Sequence, residues 1–260
     1  MELEPLKSIY RQSPDQCIDS LREFGYSIIR LEWEQSSAFD SEWRHFKESW
    51  NKLKADRYLK AATTYRFRRY ATYDYFSLEG ILKQKAHQEF RQPITEGVNN
   101  PYAGQERIFA PLTEDIANGQ YLEILIKANI ELFSRLLANP ISHWTVGVHQ
   151  IRVLGTAAAA GSPTPEGIHR DGYRFLASHL VNSSNLAGGA SRIYDEGRKL
   201  IKEFAMRHPG DTVLLDDRRV YHEATPIYPL NSNLGKAERD VLVISYDEAA
   251  PGAAGAGAAG

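Results

Sequence analysis

The stretch GIHRDGYRF, residues 167–175, places a histidine and an aspartate two positions apart, as His169 and Asp171. His-Arg-Asp also begins the catalytic loop of protein kinases, in which an asparagine follows five residues after the aspartate. Here that position is Leu176, no Asp-Phe-Gly follows, and no glycine-rich phosphate loop precedes it. The sequence therefore excludes the kinase interpretation.

A metal site is the second interpretation of this stretch. Side chains at positions i and i+2 of a strand point to the same face, so His169 and Asp171 could hold one ion. The stretch DTVLLDDRRVYHEATPI, which begins as an apolar strand, supplies a distal third ligand, His222. Two histidines and one carboxylate leave three metal positions open, which is typical of non-haem Fe(II) oxygenases. Zinc accepts the same ligands, so the spacing alone does not choose the metal.

The chain around this stretch is rich in short strand-like segments from His143 onward. Turn residues such as Pro163, Pro165 and the pair Pro209-Gly210 separate them. The segments are HWTVGVHQIRVLG, GIHRDGYRFLASHLVNSS, GASRIYD, KLIKEFAM, DTVLLDDRRVYHEATPIY and RDVLVISYD. Several short strands at this spacing predict a sandwich or a barrel.

The earlier part of the chain mixes helices and strands. SPDQCIDSLREFG has a serine cap and a terminal glycine, and SSAFDSEWRHFKESWNKL spaces its aromatic residues on one helix face. YSIIRL and YRFRRYATYDYFSL are predicted strands, the second with one charged face, and residues 114–138 form a predicted helix. We expect one mostly β domain with flanking helices over residues 1–248. Its helical and mixed part is about 1–140, its motif-bearing part is about 141–248, and a low-complexity tail covers 249–260.

The composition excludes several classes of protein. The 260 residues are 42% hydrophobic and 25% charged, and the net charge of −2 offers no general attraction for nucleic acid or anionic membranes. No apolar run approaches the roughly 20 residues that span a bilayer, and the first ten residues lack a signal peptide's apolar stretch. The single cysteine, Cys17, excludes an intrachain disulfide and a thiolate-rich metal site. We expect a cytoplasmic protein with a small-molecule partner.

Four runs together resemble a known family. HQIRVLG…TPEGIHRDGYRF, GGASRIYD, GDTVLLDDRRVYHEATPI and RDVLVISYD are similar to the bacterial 2-oxoglutarate/Fe(II)-dependent dioxygenases that include L-isoleucine 4-hydroxylase. The resemblance implies a double-stranded β-helix, also called a jelly roll, with helices on its outer face. It also implies that His169, Asp171 and His222 are the iron ligands, with Fe(II), 2-oxoglutarate and O₂ as cofactor and cosubstrates.

The same family implies a basic residue near the C-terminal strand for the distal carboxylate of 2-oxoglutarate. Arg239 is the only arginine after His222 and begins the segment RDVLVISYD. A guanidinium can hold a carboxylate through two parallel charge-assisted hydrogen bonds. Thr225 and Ser245 are the candidate hydroxyl partners.

The resemblance further implies hydroxylation of a free L-amino acid with an aliphatic side chain. Such a zwitterion needs a cation for its carboxylate and an anion for its ammonium group. The candidates for substrate binding are Gln150, Arg152, Arg170 and Asp217, and further charged residues near the motifs are Arg174, Asp216 and Arg219. The candidate aromatic residues for the apolar end are Tyr70, Tyr73, Tyr75 and Phe76.

Two other functions fit the same residues. A zinc or manganese isomerase or hydrolase on this scaffold would not need Arg239. A non-enzymatic binding module could retain the three ligand residues as packing, although two histidines and an aspartate buried together without a metal would be costly. Within the dioxygenase class, hydroxylation, sulfoxidation and desaturation share their oxidising step and stay open.

Overall fold

The computed structural model describes residues 12–31, 37–59, 64–86, 90–91 and 106–250. The tail after residue 250 lies outside this range. Within the described ranges, no helix is long and apolar enough to cross a membrane. The organisation of residues 1–248 as one domain and the cytoplasmic location stay predictions.

Helices precede most of the strands. They are α1 (Pro14–Phe24), α2 (Ser37–Glu48), α3 (Glu114–Ala117) and α4 (Gln120–Ser134), with 3-10 turns at Ser49–Lys52 and Ser232–Leu234. Helix α1 begins at the predicted serine, because the Ser13 hydroxyl accepts from the Gln16 backbone N–H and the Gln16 side chain accepts from Ser13. It ends at Gly25, whose φ of +78° is in the left-handed region. The predicted helix over 114–138 is two helices, with Gly119 between α3 and α4.

The strands include most of the predicted segments and several short strands that the sequence did not predict. In the first half they are β1 (Tyr26–Arg30), β2 (Lys54–Ala55), β3 (Arg66–Phe76), β4 (Ile81–Gln84), β5 (Phe90–Arg91) and β6 (Glu106–Arg107). In the second half they are β7 (His143–Gly155), β8 (Phe175–Ser184), β9 (Leu186–Gly188), β10 (Ser191–Tyr194), β11 (Leu200–Phe204), β12 (Asp211–Asp216), β13 (Tyr221–Ala224), β14 (Ile227–Pro229) and β15 (Ala237–Glu248).

A large antiparallel sheet has the order β1-β12-β8-β15-β7-β3-β2, with β4 paired to β3. Because side chains alternate along a strand, one face of this sheet packs against the helices and the other faces inward. On β7, Trp144, Val146 and Val148 are fully buried on the helix side, in the same apolar cluster as Leu125 and Ile126 of α4. The helices therefore cover the outer face of the sheet.

A smaller sheet of order β11-β10-β13 and the pair β14-β9 lie opposite the inner face. Ile193 of β10 and Phe204 of β11 pack with Leu176, Val213 and Leu215 of the large sheet. This arrangement confirms the predicted jelly roll with flanking helices.

Two predicted strands differ from the structure near the candidate ligands. The segment 167–184 becomes a strand only at Phe175, so His169 and Asp171 lie in the loop before β8. The segment 211–228 is not one strand but β12, a turn, β13 and most of β14. The turn carries the chain from the large sheet to the small one, where His222 lies on β13.

Candidate active site

A cavity of ≈ 160 Å³ lies between the two sheets. Its floor is the inner face of the large sheet, where residues in register on three neighbouring strands point the same way. Arg239 and Arg66 both pair with Val153, one on each side of β7. The next inward-facing rung is Val241, Ile151 and Arg68. Three strands that are distant in sequence therefore contribute adjacent lining residues.

The three candidate ligands meet at this cavity. His169 and His222 form an isolated antiparallel bridge, with backbone N···O distances of 3.1 and 2.9 Å, and their ring centroids are 4.4 Å apart. The Asp171 carboxylate lies 3.5 Å from His169 Nε2 and 3.6 Å from His222 Nε2. One ligand atom from each residue lies within 4.8 Å of the others. His169 and His222 are therefore brought together by a backbone bridge between the loop and β13, and not by a strand that carries both His169 and Asp171.

The histidine rings are oriented by groups on their far sides. The Nδ1 of His169 lies 2.8 Å from the Gly167 carbonyl. Because a carbonyl only accepts, Nδ1 carries the hydrogen and Nε2 keeps its lone pair toward Asp171. The Nδ1 of His222 faces Asp217 Oδ1 at 3.6 Å. Both rings therefore turn Nε2 to the same point.

The electrostatics of the triad favour a cation. Burial would lower the pKa of His169, but the hydrogen bond and charge of Asp171 raise it to about 9. Burial would raise the pKa of Asp171, but His169 and His222 hold it well below its usual range. Positive charge is thus stabilised where the three side chains meet, and a divalent metal displaces protons from such ligands. The donor set, two imidazoles and one carboxylate, fits Fe(II).

Asp217 shapes the loop that carries Asp171. The residue is 1% exposed, and its carboxylate accepts hydrogen bonds from the backbone N–H groups of Gly172 at 2.8 Å, Tyr173 at 3.2 Å and Asp171 at 3.3 Å. Asp217 does not line the cavity. Its predicted role in substrate binding is therefore corrected to positioning of Asp171 and His222.

Arg239 lies in the cavity as a buried cation. It is 4% exposed, and its Nε has no hydrogen-bond partner among the described residues. Burial lowers its pKa to about 10. No carboxylate in the described part of the chain pairs with this buried guanidinium, which therefore fits the distal carboxylate of 2-oxoglutarate.

Ser245 also lines the cavity, at the inner face of β15. Its neighbour across the strands is Gly147, where an added Cβ would lie 2.6 Å from the Ser245 hydroxyl oxygen and 3.4 Å from the Tyr70 hydroxyl. Only glycine leaves room there for both hydroxyl groups. Thr225 differs, because its hydroxyl oxygen accepts from the Ala190 backbone N–H at 2.9 Å and does not line the cavity. The prediction that Thr225 binds cosubstrate is corrected.

Gln150 and Arg152 point away from the cavity. They alternate with His149 and Ile151 on β7, so they emerge on the helix side of the sheet. Gln150 donates to the Ser49 hydroxyl at 2.7 Å, and Arg152 donates twice to Asp240, at 2.7 Å each. The predicted substrate role of both residues is corrected to a structural one.

The remaining predicted substrate residues do not line the cavity themselves. Arg170 covers the Tyr221 ring at 4.1 Å and donates to the Val220 carbonyl at 3.2 Å. Tyr73 is buried in the cluster under the helices, and Tyr70 stacks on His149 with ring centroids 4.3 Å apart. None of the further candidates lines the cavity: Arg174, Asp216, Arg219, Tyr75 and Phe76.

The structure adds a polar wall that the sequence interpretation missed. Its charged members are Arg66, Arg68, Arg107 and Glu166. The alternation in YRFRRY already indicated one charged face on β3. What the sequence did not indicate is that β3 pairs with β7 and turns this face toward the metal ligands.

Comparison with known proteins agrees with this geometry. Residues 47–245 match the model of the 2OG-Fe dioxygenase family. L-isoleucine-4-hydroxylase from Bacillus thuringiensis is 23% identical over 145 residues, and the match spans 55% of this chain and 59% of that relative's length.

Solved structures are similar over most of the chain. A bsmA homologue from Methylobium petroleophilum PM1 is 29% identical, with a TM-score of 0.79 over 95% of this chain and 98% of that one. IDO from Bacillus thuringiensis is 17% identical, with a TM-score of 0.72 over 92% and 100% of the two chains. At 17% identity, the similarity to IDO shows only that the two chains share a fold. The chain belongs to the 2OG-Fe dioxygenase family, whose cofactor and cosubstrates are Fe(II), 2-oxoglutarate and O₂.

Proposed function

We propose that this protein hydroxylates a free L-amino acid with an aliphatic side chain, on a carbon remote from the backbone. The single observation that carries the proposal is one cavity lined by both the triad and Arg239, a buried arginine whose Nε has no hydrogen-bond partner among the described residues. The similarity to L-isoleucine-4-hydroxylase supports this substrate class.

In this proposal, His169, Asp171 and His222 hold Fe(II). The chemistry supplied by bound iron, 2-oxoglutarate and O₂ is insertion of one oxygen atom into a C–H bond, with release of succinate and CO₂. The protein's own part is to keep both Nε2 lone pairs and the carboxylate directed at one point. The Gly167 carbonyl and Asp217 do so from behind the rings.

Arg239 holds the distal carboxylate of 2-oxoglutarate in the same proposal. Its guanidinium is charged at neutral pH, because a pKa of about 10 is still well above 7. Burial makes each hydrogen bond to a carboxylate stronger than it would be in water. Ser245 lies on the same strand and supplies a hydroxyl group to the same cavity.

The cavity suits a molecule with a polar end and an apolar end. Its apolar lining includes Leu176, Ile193, Phe204, Val213 and Leu215. These side chains exclude water from the space between the sheets, which protects a reactive oxidant from side reactions. They also provide contact area for an aliphatic group.

The experiment is a substrate panel. The purified protein is loaded anaerobically with Fe(II) and 2-oxoglutarate, exposed to air with each common L-amino acid, and assayed for succinate and for product mass. We expect an aliphatic amino acid to gain one oxygen atom in step with succinate, and the His222→Ala variant to give neither.

Other outcomes have distinct meanings. If a peptide or a carrier-bound residue couples while every free amino acid fails, the substrate class is wrong and the dioxygenase class stands. A product that gains no oxygen would replace hydroxylation by desaturation, and oxygen on sulfur would indicate sulfoxidation.

A further inference from the structure

His149 is a buried histidine on the inner face of β7, where it lines the cavity. Two aromatic rings hold it. Its ring stacks on Tyr70 with centroids 4.3 Å apart and planes at 23°, and meets Phe90 edge-on at 4.7 Å and 90°. These contacts fix the plane of the imidazole and leave its two nitrogen atoms for hydrogen bonding.

One of the two nitrogen atoms is occupied by Arg68. The Nη2 of Arg68 lies 2.6 Å from His149 Nδ1. A guanidinium has donors only, so Nδ1 accepts this hydrogen bond and carries no hydrogen itself. In the neutral ring the hydrogen is therefore on Nε2. The contact with Arg68 thus decides the tautomer of His149.

The ring is also held in its neutral form. Burial lowers the pKa of His149 well below its usual range, and the charge of Arg68 lowers it further, against an opposing effect of Asp171. An additional proton would have to bind Nδ1, the atom that already faces the guanidinium. At neutral pH, His149 is therefore an uncharged side chain with a single N–H group.

Arg68 is itself fixed in the orientation that this contact requires. Its Nη1 lies 3.8 Å from Asp56 Oδ2, and its guanidinium carbon lies 3.9 Å from the Phe109 ring centroid. Burial lowers its pKa to about 9, so the group is still charged at pH 7. Arg68 is thus already partnered, and it acts on the cavity through His149. A charged donor at Nδ1 polarises the imidazole and makes Nε2–H a stronger donor.

The Nε2–H group of His149 has no hydrogen-bond partner among the described residues. Nor is this nitrogen fully enclosed by protein. Because His149 lines the cavity, the accessible side of Nε2 is the cavity. An oxygen atom of a bound molecule can therefore accept a hydrogen bond there.

This donor lies apart from Arg239. Arg239 is opposite Val153, whereas Val243 is opposite His149. At about 3.3 Å per residue, the four positions from Val153 to His149 separate the two backbones by about 13 Å along β7. A carboxylate held by Arg239 therefore leaves His149 for a different carboxylate.

We propose that the Nε2–H of His149 binds a carboxylate oxygen of a molecule in the cavity, and that Arg68 is a positioning residue that acts through His149. This tautomer recognises an acceptor and cannot accept a hydrogen bond from an ammonium group. Two molecules can supply the carboxylate: the amino acid substrate, and 2-oxoglutarate with the end remote from Arg239. The first source rests on the proposed function, whereas the second is a cosubstrate of the family.

The tautomer is tested by ¹⁵N NMR of histidine-labelled protein loaded with Zn²⁺, a diamagnetic ion. We expect His149 to show a protonated Nε2 and an unprotonated Nδ1 at pH 7. Arg68→Met should populate the other tautomer, because the donor to Nδ1 is lost. A protonated Nδ1 in the wild-type protein would overturn the inference. An unchanged tautomer in Arg68→Met would overturn the role of Arg68.

Binding is tested by calorimetry of the Zn²⁺-loaded protein without oxygen, first with 2-oxoglutarate and then, at saturating 2-oxoglutarate, with L-isoleucine. His149→Phe keeps a ring between Tyr70 and Phe90 but has no N–H group. It should raise the Kd of the molecule that His149 contacts by about 10- to 100-fold, as expected for one hydrogen bond to a charged group. His149→Gln retains a side-chain N–H group and should raise that Kd by a smaller factor.

A third probe, 2-methylbutylamine, distinguishes the two sources of the carboxylate. It is L-isoleucine without its carboxylate. If His149 binds the amino acid, His149→Phe should weaken L-isoleucine and leave 2-methylbutylamine and 2-oxoglutarate unchanged. If His149 binds 2-oxoglutarate, the Kd of 2-oxoglutarate should rise instead. An equal loss for L-isoleucine and 2-methylbutylamine would show that the N–H group is not what the variant removes, and would overturn the inference.

His179→Gln is the matched control for His149→Gln. His179 is also a buried histidine of the large sheet, but it lies on the helix side, 2.8 Å from the Thr212 hydroxyl through Nδ1 and 3.2 Å from Asn129 Nδ2 through Nε2. This variant should leave the Kd values of all three probes unchanged. Circular dichroism and Zn²⁺ binding confirm that each variant is folded. If the substrate panel identifies another amino acid, that one and its decarboxylated analogue replace L-isoleucine and 2-methylbutylamine.

The inference and the proposed function fail in different ways. If wild-type protein binds and oxidises L-isoleucine while His149→Phe changes the Kd of neither L-isoleucine nor 2-oxoglutarate, this inference is overturned and the proposed function stands. If wild-type protein oxidises no amino acid while His149→Phe weakens 2-oxoglutarate, the proposed function has failed and this inference stands.

Discussion

Replacing Arg239 by methionine should stabilise the protein in the absence of 2-oxoglutarate and weaken 2-oxoglutarate binding. Burial lowers the pKa of this guanidinium from its ordinary value to about 10. At about 1.4 kcal/mol per unit, the buried charge costs roughly 3 kcal/mol of folding free energy. The sign follows from the protonation states. Below pH 10 the arginine is charged in both folded and unfolded chains, so at pH 7 the whole cost is present, and it falls only above pH 10.

Methionine removes this charge and retains much of the side-chain volume. A small cavity should offset about 1 kcal/mol of the gain, which leaves a stabilisation of about 2 kcal/mol. For a chain of this size that amounts to roughly 5 °C in melting temperature. The control is Arg218→Met, since Arg218 is 59% exposed and pairs with Asp247 on the surface at 3.3 Å. Its stability should change by less than about 0.5 kcal/mol.

The assay compares thermal unfolding of wild type and Arg239→Met, anaerobically with Zn²⁺, with and without 2-oxoglutarate. At a hundred times its Kd, a ligand adds about 2.7 kcal/mol to the protein that binds it. The variant should therefore melt above wild type without 2-oxoglutarate and below or equal to it at saturation. A variant that melts lower in both conditions, with an unchanged response to 2-oxoglutarate, would show that Arg239 is structural.

Three further outcomes are expected. Asp217→Asn should weaken Fe(II) or Co²⁺ binding by about 10- to 100-fold, measured by metal titration, because an amide cannot accept all three backbone N–H groups that the carboxylate accepts. His169→Ala and His222→Ala should each abolish 2-oxoglutarate-dependent succinate formation, and full activity in either would remove that residue from the metal site. His179, buried with a pKa lowered to about 3 by desolvation, stays neutral in the folded chain while the unfolded chain gains a proton below about pH 6.5. Wild type should therefore lose about 2 kcal/mol more than His179→Gln between pH 7.5 and pH 5 in urea unfolding.

The sequence predicts the second half of the fold well because its strands are bounded by strong turn residues. HWTVGVHQIRVLG coincides with β7, His143–Gly155, and RDVLVISYD lies within β15. The hydrophobic pattern was less informative in the segment 211–228. It predicted one strand there, but an aspartate-rich turn interrupts the apolar run. Local pattern does not reveal that such a turn transfers the chain from one sheet to the other.

The triad, Arg239 and Ser245 could be predicted from the sequence, whereas the substrate-binding candidates could not. His169, Asp171 and His222 stand out by residue type, whereas Gln150 and Thr225 were candidates only because they are near the motifs in sequence. The direction of Gln150 follows from the alternation on β7, which turns it to Ser49 once His149 faces inward. Alternation predicts that the two residues face opposite sides, but not which side holds the site.

The two halves of the chain supply different parts of the cavity. The triad, Arg239 and Ser245 all come from the half that carries the motifs, and they account for metal and cosubstrate in our proposal. Arg66 and Arg68 come from the first half and reach the cavity because β3 pairs with β7 along eleven residues in register, from Arg66 opposite Val153 to Phe76 opposite His143. A motif search finds the first group because iron and 2-oxoglutarate impose fixed residue types. Arg66 and Arg68 belong to no such motif, and only the pairing of β3 with β7 shows that they line the cavity.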